Sequence, residues 1–197
     1  MKILCLYSNE CALELFHWLK EQGHDTILET GRLDTSWCIE NRFDLAVGYT
    51  YPYILGEKII VALKNNVVNL HNSFLQFNRG SYPNVWSMVE DTPRGVTLHY
   101  INTGLDKGDI ISQKIVTLEK DATLRSSYEQ LDQEAKRMFQ EMFLYYNYWN
   151  RLRKRCVGEG TYHTDKEFLS LKDQFEYWSW DMSVQNFIEK VKCFKLK

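Results

Sequence analysis

An asparagine and a histidine two residues apart are the side chains whose types and spacing could best support chemistry in this sequence. Asn69 and His71 end an apolar run, and in a strand this spacing points both side chains to one face. The amide NH2 can donate to a developing oxyanion, and the imidazole can donate or move a proton. Asp106, in the later turn Gly-Leu-Asp-Lys-Gly-Asp, could hold the imidazole in place. These three residues are our candidate catalytic group.

Two other interpretations of the same residues stay open. A histidine in a strand is often only a structural hydrogen-bonding residue, and an Asn-Leu-His triplet alone is a weak signal. A metal site at His71, Asp106 and Asp109 is the second alternative, but no further ligand spacing supports it, and we expect no metal. Three more histidines have no partner at a suggestive spacing and are interpreted as structural or exposed: His17, His24 and His99.

Alternating strands and helices must position the candidate group. Apolar runs of strand length recur near residues 2–7, 25–29, 43–49, 67–70, 96–101 and 110–116. Helical periodicity separates them, and a longer apolar stripe predicts a continuous helix over Thr123–Arg153. We therefore expect an α/β fold, with a Rossmann-like, mostly parallel twisted sheet, helices on both faces and a small C-terminal appendage. Ligands of such sheets bind beyond the carboxyl ends of the strands, where Asn69 and His71 lie.

Chain length and glycine positions predict how the chain is divided. A length of 197 residues corresponds to one domain with at most a small addition. Gly158 and Gly160 end the long helical segment. We predict a catalytic core over residues 1–158 and a C-terminal extension over residues 159–197. The extension should contain a short strand at 161–163 and helices near 166–171 and 183–192.

Composition and charge exclude several classes of function. A net charge of -2 gives no general attraction to nucleic acid, and no apolar run is long enough to span a membrane. The chain shows no signal-peptide pattern, and its five cysteines lack any Cys-x-x-Cys pair, so we expect reduced thiols and a cytoplasmic location. The first strand-to-helix turn, Tyr7–Glu10, has no glycine, which disfavours a nicotinamide or flavin site.

Three motifs in order carry a resemblance to a known family. Residues 69–75 (NLHNSFL), the pair Arg79-Gly80 and residues 105–110 (LDKGDI) resemble the N10-formyltetrahydrofolate-dependent formyltransferases. That family shows Asn-x-His-x-Ser-x-Leu-Pro, then Arg-Gly, then Leu-Asp-x-Gly. The match runs from about residue 43 to residue 113 and continues more faintly over the first strand and helix. Gln76 and Asn72 depart from it, since each stands where the family commonly has Pro.

The resemblance implies a role for each residue of the candidate group. Asn69 and protonated His71 would stabilise the oxyanion formed when an amine attacks the formyl carbon. Asp106 would hold His71 and assist removal of the amine proton. N10-formyltetrahydrofolate would be the formyl donor, without a metal. The wall of its pterin site is implied for Tyr53, Ile54, Leu55, Ile101, Asn102, Gly104 and Leu105.

Residues 78–87 and 90–99 resemble the branch of the family that formylates amino sugars on nucleotide carriers. This implies transfer to the amino group of a nucleotide-linked, most often dTDP-linked, amino-dideoxyhexose. The formamido sugar produced would serve surface polysaccharides such as the lipopolysaccharide O-antigen. The implied substrate-binding residues are Ser8, Asn9, Glu10, Ser73, Arg79, Gly80, Asn84 and Trp86.

Other functions within the family remain as alternatives. Glycinamide ribonucleotide and methionyl-tRNA formyltransferases share the motifs, but the first turn lacks the phosphate loop of the former. The chain also ends too early for the C-terminal barrel of the latter. A formyltetrahydrofolate hydrolase and a non-catalytic folate- or sugar-binding relative complete the set. We expect a homodimer that binds folate and a nucleotide-linked amino sugar, with neither nucleic acid nor membrane as a partner.

Overall fold

The structure, a computed structural model, describes residues 1–195 and contains a six-stranded sheet. Its strands are β1 (Lys2–Leu6), β2 (Asp25–Glu29), β3 (Leu45–Tyr49), β4 (Val67–His71), β6 (Gly95–Tyr100) and β7 (Ile110–Ile115). Their order is β2-β1-β3-β4-β6-β7. β1 pairs in parallel with both β2 and β3, and β3 pairs in parallel with β4. The expected Rossmann-like, mostly parallel sheet is therefore confirmed.

Within the described part of the chain, eight α-helices accompany the strands, and those in the first half of the chain alternate with them. They are α1 (Leu13–Glu21), α2 (Thr35–Asn41), α3 (Glu57–Ala62), α4 (Pro83–Val89), α5 (Leu124–Phe143), α6 (Trp149–Leu152), α7 (Asp165–Lys172) and α8 (Val184–Lys195). Side chains cap several of them; Asp34 accepts from the Trp37 amide at the start of α2. Within residues 1–195, no helix combines the length and the apolar character needed to cross a membrane.

One compact unit comprises Met1–His71, Leu98–Ser112 and Phe139–Cys156. Every residue of β3 is buried, as is typical of a parallel strand covered on both faces, which is why its sequence LAVGY shows no alternation. The apolar core of this unit is formed by Leu4, Leu6, Cys38, Phe43, Ala46, Leu55, Ile60, Leu63 and Val67.

The prediction of one unbroken helix over Thr123–Arg153 is wrong. α5 ends at Phe143, and a 3-10 turn at Tyr146–Tyr148 leads into the short α6. The indole N–H of Trp149 donates to the Met142 carbonyl oxygen at 2.9 Å, and its ring packs edge-on against Phe143. Trp149 thus folds back and satisfies a carbonyl at the helix end. The apolar spacing continues through this break, so periodicity alone could not reveal it.

A second compact unit comprises Asn72–Thr97, Gln113–Met138 and Val157–Lys197, although residues 196 and 197 lie outside the described part. Two short strands, β5 (Arg79–Gly80) and β8 (Tyr162–His163), pair in parallel. Burial of about ten large side chains holds this unit together, and each contributes roughly 1.5 to 3 kcal/mol. They are Val85, Trp86, Met88, Leu124, Phe168, Leu171, Phe175, Met182, Phe187 and Val191. A separate extension beginning at residue 159 stays a prediction.

Candidate active site

Two adjacent segments of the first unit carry the three candidate catalytic residues. Asn69 and His71 lie at the carboxyl end of β4, and Asp106 lies in the turn between β6 and β7. Asp106 has a φ of 49°, a left-handed conformation that aspartate tolerates better than most residues. Gly108 packs directly against the Tyr100 carbonyl oxygen, where any Cβ would overlap the backbone. The Asp-x-Gly pattern of this turn therefore has a steric basis.

Asp106 is the acidic partner of His71. The distance from His71 Nε2 to Asp106 Oδ2 is 3.8 Å, and both side chains are about 10% exposed. This is longer than a hydrogen bond, yet close enough for a carboxylate to attract an imidazolium in a site largely shielded from water. The arrangement can orient the His71 imidazole.

His99, on β6, is a further member of this group. Its Nε2 lies 3.7 Å from Asp106 Oδ1 and 3.4 Å from the Asn69 amide nitrogen, and its Nδ1 lies 2.9 Å from the Tyr100 carbonyl oxygen. The residue is almost completely buried. Burial lowers the pKa of His99; the nearby Asp106 opposes this shift and His71 adds to it. Sequence spacing gives His99 no partner, whereas the strand order brings it beside Asn69.

A cavity in the first unit collects most of the predicted residues. Its lining includes all seven positions expected to wall the pterin: Tyr53, Ile54, Leu55, Ile101, Asn102, Gly104 and Leu105. Asn69 and Asp106 line the same cavity, together with four residues that the sequence did not indicate: Gly48, Tyr51, Pro52 and His99. His71 is not part of this lining, but its Nε2 lies 3.8 Å from Asp106, which is. The cavity thus joins aromatic and aliphatic walls to an amide, an imidazole and a carboxylate.

Tyr51 shapes one side of this cavity. Its hydroxyl donates to the Gly31 carbonyl oxygen at 2.6 Å, and its ring meets Tyr53 edge-on. Burial, followed by the charge of Glu29, raises the pKa of Tyr51 to about 12. The phenol therefore remains a neutral donor at physiological pH, and it anchors the segment that carries Tyr53.

Gly48 lies directly beneath the Asn69 side chain. A Cβ at this position would come 3.0 Å from Asn69 Oδ1, which is tighter than almost all real contacts. A glycine inside a strand commonly marks such a close approach. Gly48 therefore leaves the room that the Asn69 amide needs.

Replacing Gly48 by alanine should displace the Asn69 amide by a few tenths of an ångström. We expect kcat to fall about tenfold or more, because small displacements of a catalytic group strongly lower the reaction rate. The melting temperature should change little. Steady-state kinetics and thermal unfolding measure both effects, and Gly56→Ala is the matched control because its Cβ would meet no atom within 4 Å. An unchanged kcat in Gly48→Ala would show that the amide position is not critical.

Three of the predicted substrate-binding residues lie after β1 in the first unit. The Ser8 hydroxyl donates to the Thr50 carbonyl oxygen at 2.5 Å. The Asn9 side chain accepts from the Cys11 amide and caps a 3-10 turn, while Glu10 is exposed. All three residues are exposed, and Ser8 and Asn9 make local structural hydrogen bonds.

The other five lie in the second unit. Ser73 is buried and donates to the Phe77 carbonyl oxygen, and Gly80 has a φ of 86° in β5. Arg79 donates through Nη2 to the Glu159 carbonyl oxygen at 2.7 Å and through Nε to that of Thr161. Two buried donors find no acceptor among the described residues: Asn84 Nδ2 and Trp86 Nε1.

The described residues also bear on metal binding. Across residues 1–195, no group of three or more His, Cys, Asp or Glu side chains is arranged to hold a metal ion. His71, His99 and Asp106 meet through charge and ring-edge contacts instead.

The cavity and its neighbourhood coincide with the region that matches known proteins. The profile of the formyl transferase family matches residues 38–143, more than half of the chain. The formyltransferase PseJ from Anoxybacillus kamchatkensis, in complex with UDP-4,6-dideoxy-4-formamido-L-AltNAc and tetrahydrofolate, is 34% identical. The alignment covers 97% of this chain and 100% of PseJ, with a TM-score of 0.85.

Curated relatives extend the comparison. A dTDP-4-amino-4,6-dideoxyglucose formyltransferase of Mycobacterium tuberculosis is 28% identical over 68% of this chain and 56% of its own length. A methionyl-tRNA formyltransferase of Anaeromyxobacter dehalogenans is 35% identical over 41% of this chain and 26% of its own length. The chain thus spans about half the length of the first of these relatives and less of the second. By its family profile and its similarity to PseJ, this chain belongs to the formyl transferase family.

Proposed function

We propose that this chain transfers a formyl group from N10-formyltetrahydrofolate to the amino group of a nucleotide-linked amino-dideoxyhexose. One observation carries the proposal: Asn69, His99 and Asp106 line a single cavity together with all seven residues expected to wall a pterin. Similarity to PseJ over nearly the full length of both chains supports the same activity.

The cavity lining fits a flat, partly polar donor. Aromatic and aliphatic side chains such as Tyr53, Leu55 and Ile101 offer surfaces on which a bicyclic ring can pack. Asn102 and Gly104 add backbone groups that can bond its polar edge, and the Asn102 side chain already fixes this loop by accepting from the Gly104 amide. When bound, the folate donor supplies the formyl group.

The residues around Asp106 then have distinct tasks. We assign Asn69 and protonated His71 as hydrogen-bond donors to the formyl oxygen while negative charge develops there. Asp106 holds His71 at 3.8 Å and accepts the proton that the sugar amine releases. The His71 and Asp106 side chains are only about 10% exposed, and this shielding from water strengthens their interactions.

Three residues of the second unit are our main candidates for binding the sugar nucleotide that accepts the formyl group. Asn84 Nδ2 and Trp86 Nε1 are buried donors that find no acceptor within residues 1–195, so oxygen atoms of a bound sugar nucleotide could satisfy them. Arg79 uses two of its N–H groups on backbone carbonyls, and its remaining donors suit a diphosphate. Substrate binding stays a prediction for Ser8, Asn9, Glu10, Ser73 and Gly80.

The relatives support a proposal for the carrier nucleotide. PseJ holds a UDP-linked 4-formamido sugar, and the mycobacterial relative is named for a dTDP-linked 4-amino sugar. We therefore propose a 4-amino-4,6-dideoxyhexose on a pyrimidine nucleoside diphosphate, which widens the dTDP expectation to UDP. A homodimer, a cytoplasmic location and a role in surface polysaccharide synthesis stay proposals. Methionyl-tRNA is less supported, since that similarity covers only 41% of the chain.

A panel of acceptors tests this function. The chain is incubated with N10-formyltetrahydrofolate and, separately, with UDP- and dTDP-linked 3-amino and 4-amino dideoxyhexoses, glycinamide ribonucleotide or charged tRNA. We expect one of the sugar nucleotides to gain the mass of one carbonyl group and to give the highest kcat/KM. Faster formylation of glycinamide ribonucleotide or tRNA would contradict the proposal, as would release of formate without any acceptor.

A further inference from the structure

His99 has a buried environment that fixes which of its nitrogens carries a proton. Its Nδ1 lies 2.9 Å from the Tyr100 carbonyl oxygen, and a carbonyl can only accept, so Nδ1 bears the hydrogen. Burial disfavours a second proton and lowers the pKa of this imidazole. The ring is then neutral at pH 7, and Nε2 presents a lone pair.

That lone pair faces the Asn69 side chain. Asn69 Nδ2 lies 3.4 Å from His99 Nε2, close enough for the amide to donate one of its two hydrogens. On the other side of β4, the side-chain oxygen Oδ1 of Asn69 lies close to Gly48 in β3. An amide can rotate by half a turn with little change in shape, and the His99 lone pair selects the orientation that turns the NH2 group toward it.

The selected orientation matters for the proposed chemistry. An NH2 group aimed at the formyl oxygen stabilises developing negative charge, whereas the flipped amide would present its own oxygen and repel it. His99 takes one amide hydrogen and leaves the second for that purpose. The charged or titratable groups that face His99 are Asp106 and His71.

We infer that His99 is a positioning residue, whose neutral Nδ1-protonated ring holds the Asn69 amide in its donating orientation. The inference rests on the proposed formyl transfer and adds a residue that acts through Asn69 rather than on substrate. A merely structural His99 would fill space without selecting the amide orientation, and the two roles predict different results in paired variants.

Two substitutions of His99 separate the roles. His99→Asn can keep a donor near the Nδ1 position but has no acceptor for Asn69, whereas His99→Gln can place an acceptor oxygen near the Nε2 position. We expect His99→Asn to lower kcat about 10- to 100-fold with nearly unchanged KM for both substrates. His99→Gln should recover most of that loss. Equal losses in the two variants at similar melting temperatures would overturn the inference.

A double-mutant cycle with Asn69→Ala provides the decisive comparison. Since His99 is inferred to act through Asn69, His99→Asn should have little further effect on kcat in the Asn69→Ala background. An undiminished effect there would show that His99 acts by another route.

Nitrogen NMR of the wild-type protein keeps the inference testable without turnover. We expect the His99 ring to be neutral and protonated on Nδ1 at pH 7, and to remain so until the pH falls below the ordinary range of histidine. A ring protonated on Nε2 would contradict the inference even in an active enzyme. If the wild type formylates no amino sugar, the proposed function fails, and the NMR result still decides whether His99 can orient Asn69.

Discussion

Replacing Asp106 by asparagine is expected to lower kcat for formyl transfer by about 10² to 10⁴-fold, the range for loss of a positioned acid–base group. The substitution removes the negative charge that lies 3.8 Å from His71 Nε2 and 3.7 Å from His99 Nε2. It also removes the proposed acceptor of the amine proton. Asparagine keeps the side-chain shape and tolerates the left-handed φ of 49°, so the turn should persist.

Asp109→Asn is the matched control for this variant. Asp109 lies in the same turn and pairs with Arg153 at 3.3 Å, near the surface and outside the cavity lining. Its loss should leave kcat close to the wild-type value, because a partly exposed ion pair contributes little. Stopped-flow or steady-state kinetics give kcat for both variants, and thermal unfolding gives their melting temperatures. An Asp106→Asn enzyme as active as Asp109→Asn would remove Asp106 from the mechanism.

Replacing His71 by alanine is expected to lower kcat about 10² to 10³-fold, as for loss of a hydrogen-bond donor to developing charge. His71 is the last residue of β4 and is buried beside Asp106, so its imidazole cannot be replaced by bulk water at the same position. KM for the amino sugar should change much less than kcat, because the interaction is proposed to form mainly in the transition state.

His17→Ala controls for the loss of an imidazole elsewhere, since His17 is exposed on α1. Its kinetics should match the wild type, and both variants should unfold within a few degrees of it. If His71→Ala remained fully active while Asp106→Asn was inactive, Asp106 would act without His71, and the role of the imidazole donor would be withdrawn.

The local pattern was sufficient to place the candidate residues that lie within single segments. Asn69 and His71 are two residues apart in a strand, so their spacing predicts that they share a face. Asp106 stands two residues before a glycine that the turn requires, so this motif predicts the turn. The repeated strands and helices likewise predicted the mostly parallel sheet. Seven of the cavity-lining residues were implied instead by the resemblance to the formyltransferases.

Residues that meet only through the fold could not be predicted in this way. His99 reaches Asn69 because β6 lies beside β4, a sheet order that no local spacing encodes. Trp149 ends α5 through a hydrogen bond to a backbone carbonyl, which apolar periodicity does not report. Arg79 bonds the backbone of Glu159, far along the chain, so its surroundings depend on the pairing of β5 with β8.

Transfer of the formyl carbon to a sugar amine is the central claim, and an isotope-labelled formyl group follows it most directly. The donor carrying a labelled formyl carbon is incubated with the chain and a UDP- or dTDP-linked 4-amino-4,6-dideoxyhexose, and the products are analysed by mass spectrometry and NMR. We predict that the label appears in an amide on the sugar nitrogen, with one tetrahydrofolate released for each formamido sugar. Label recovered only as free formate, or only in unreacted donor, would contradict this account.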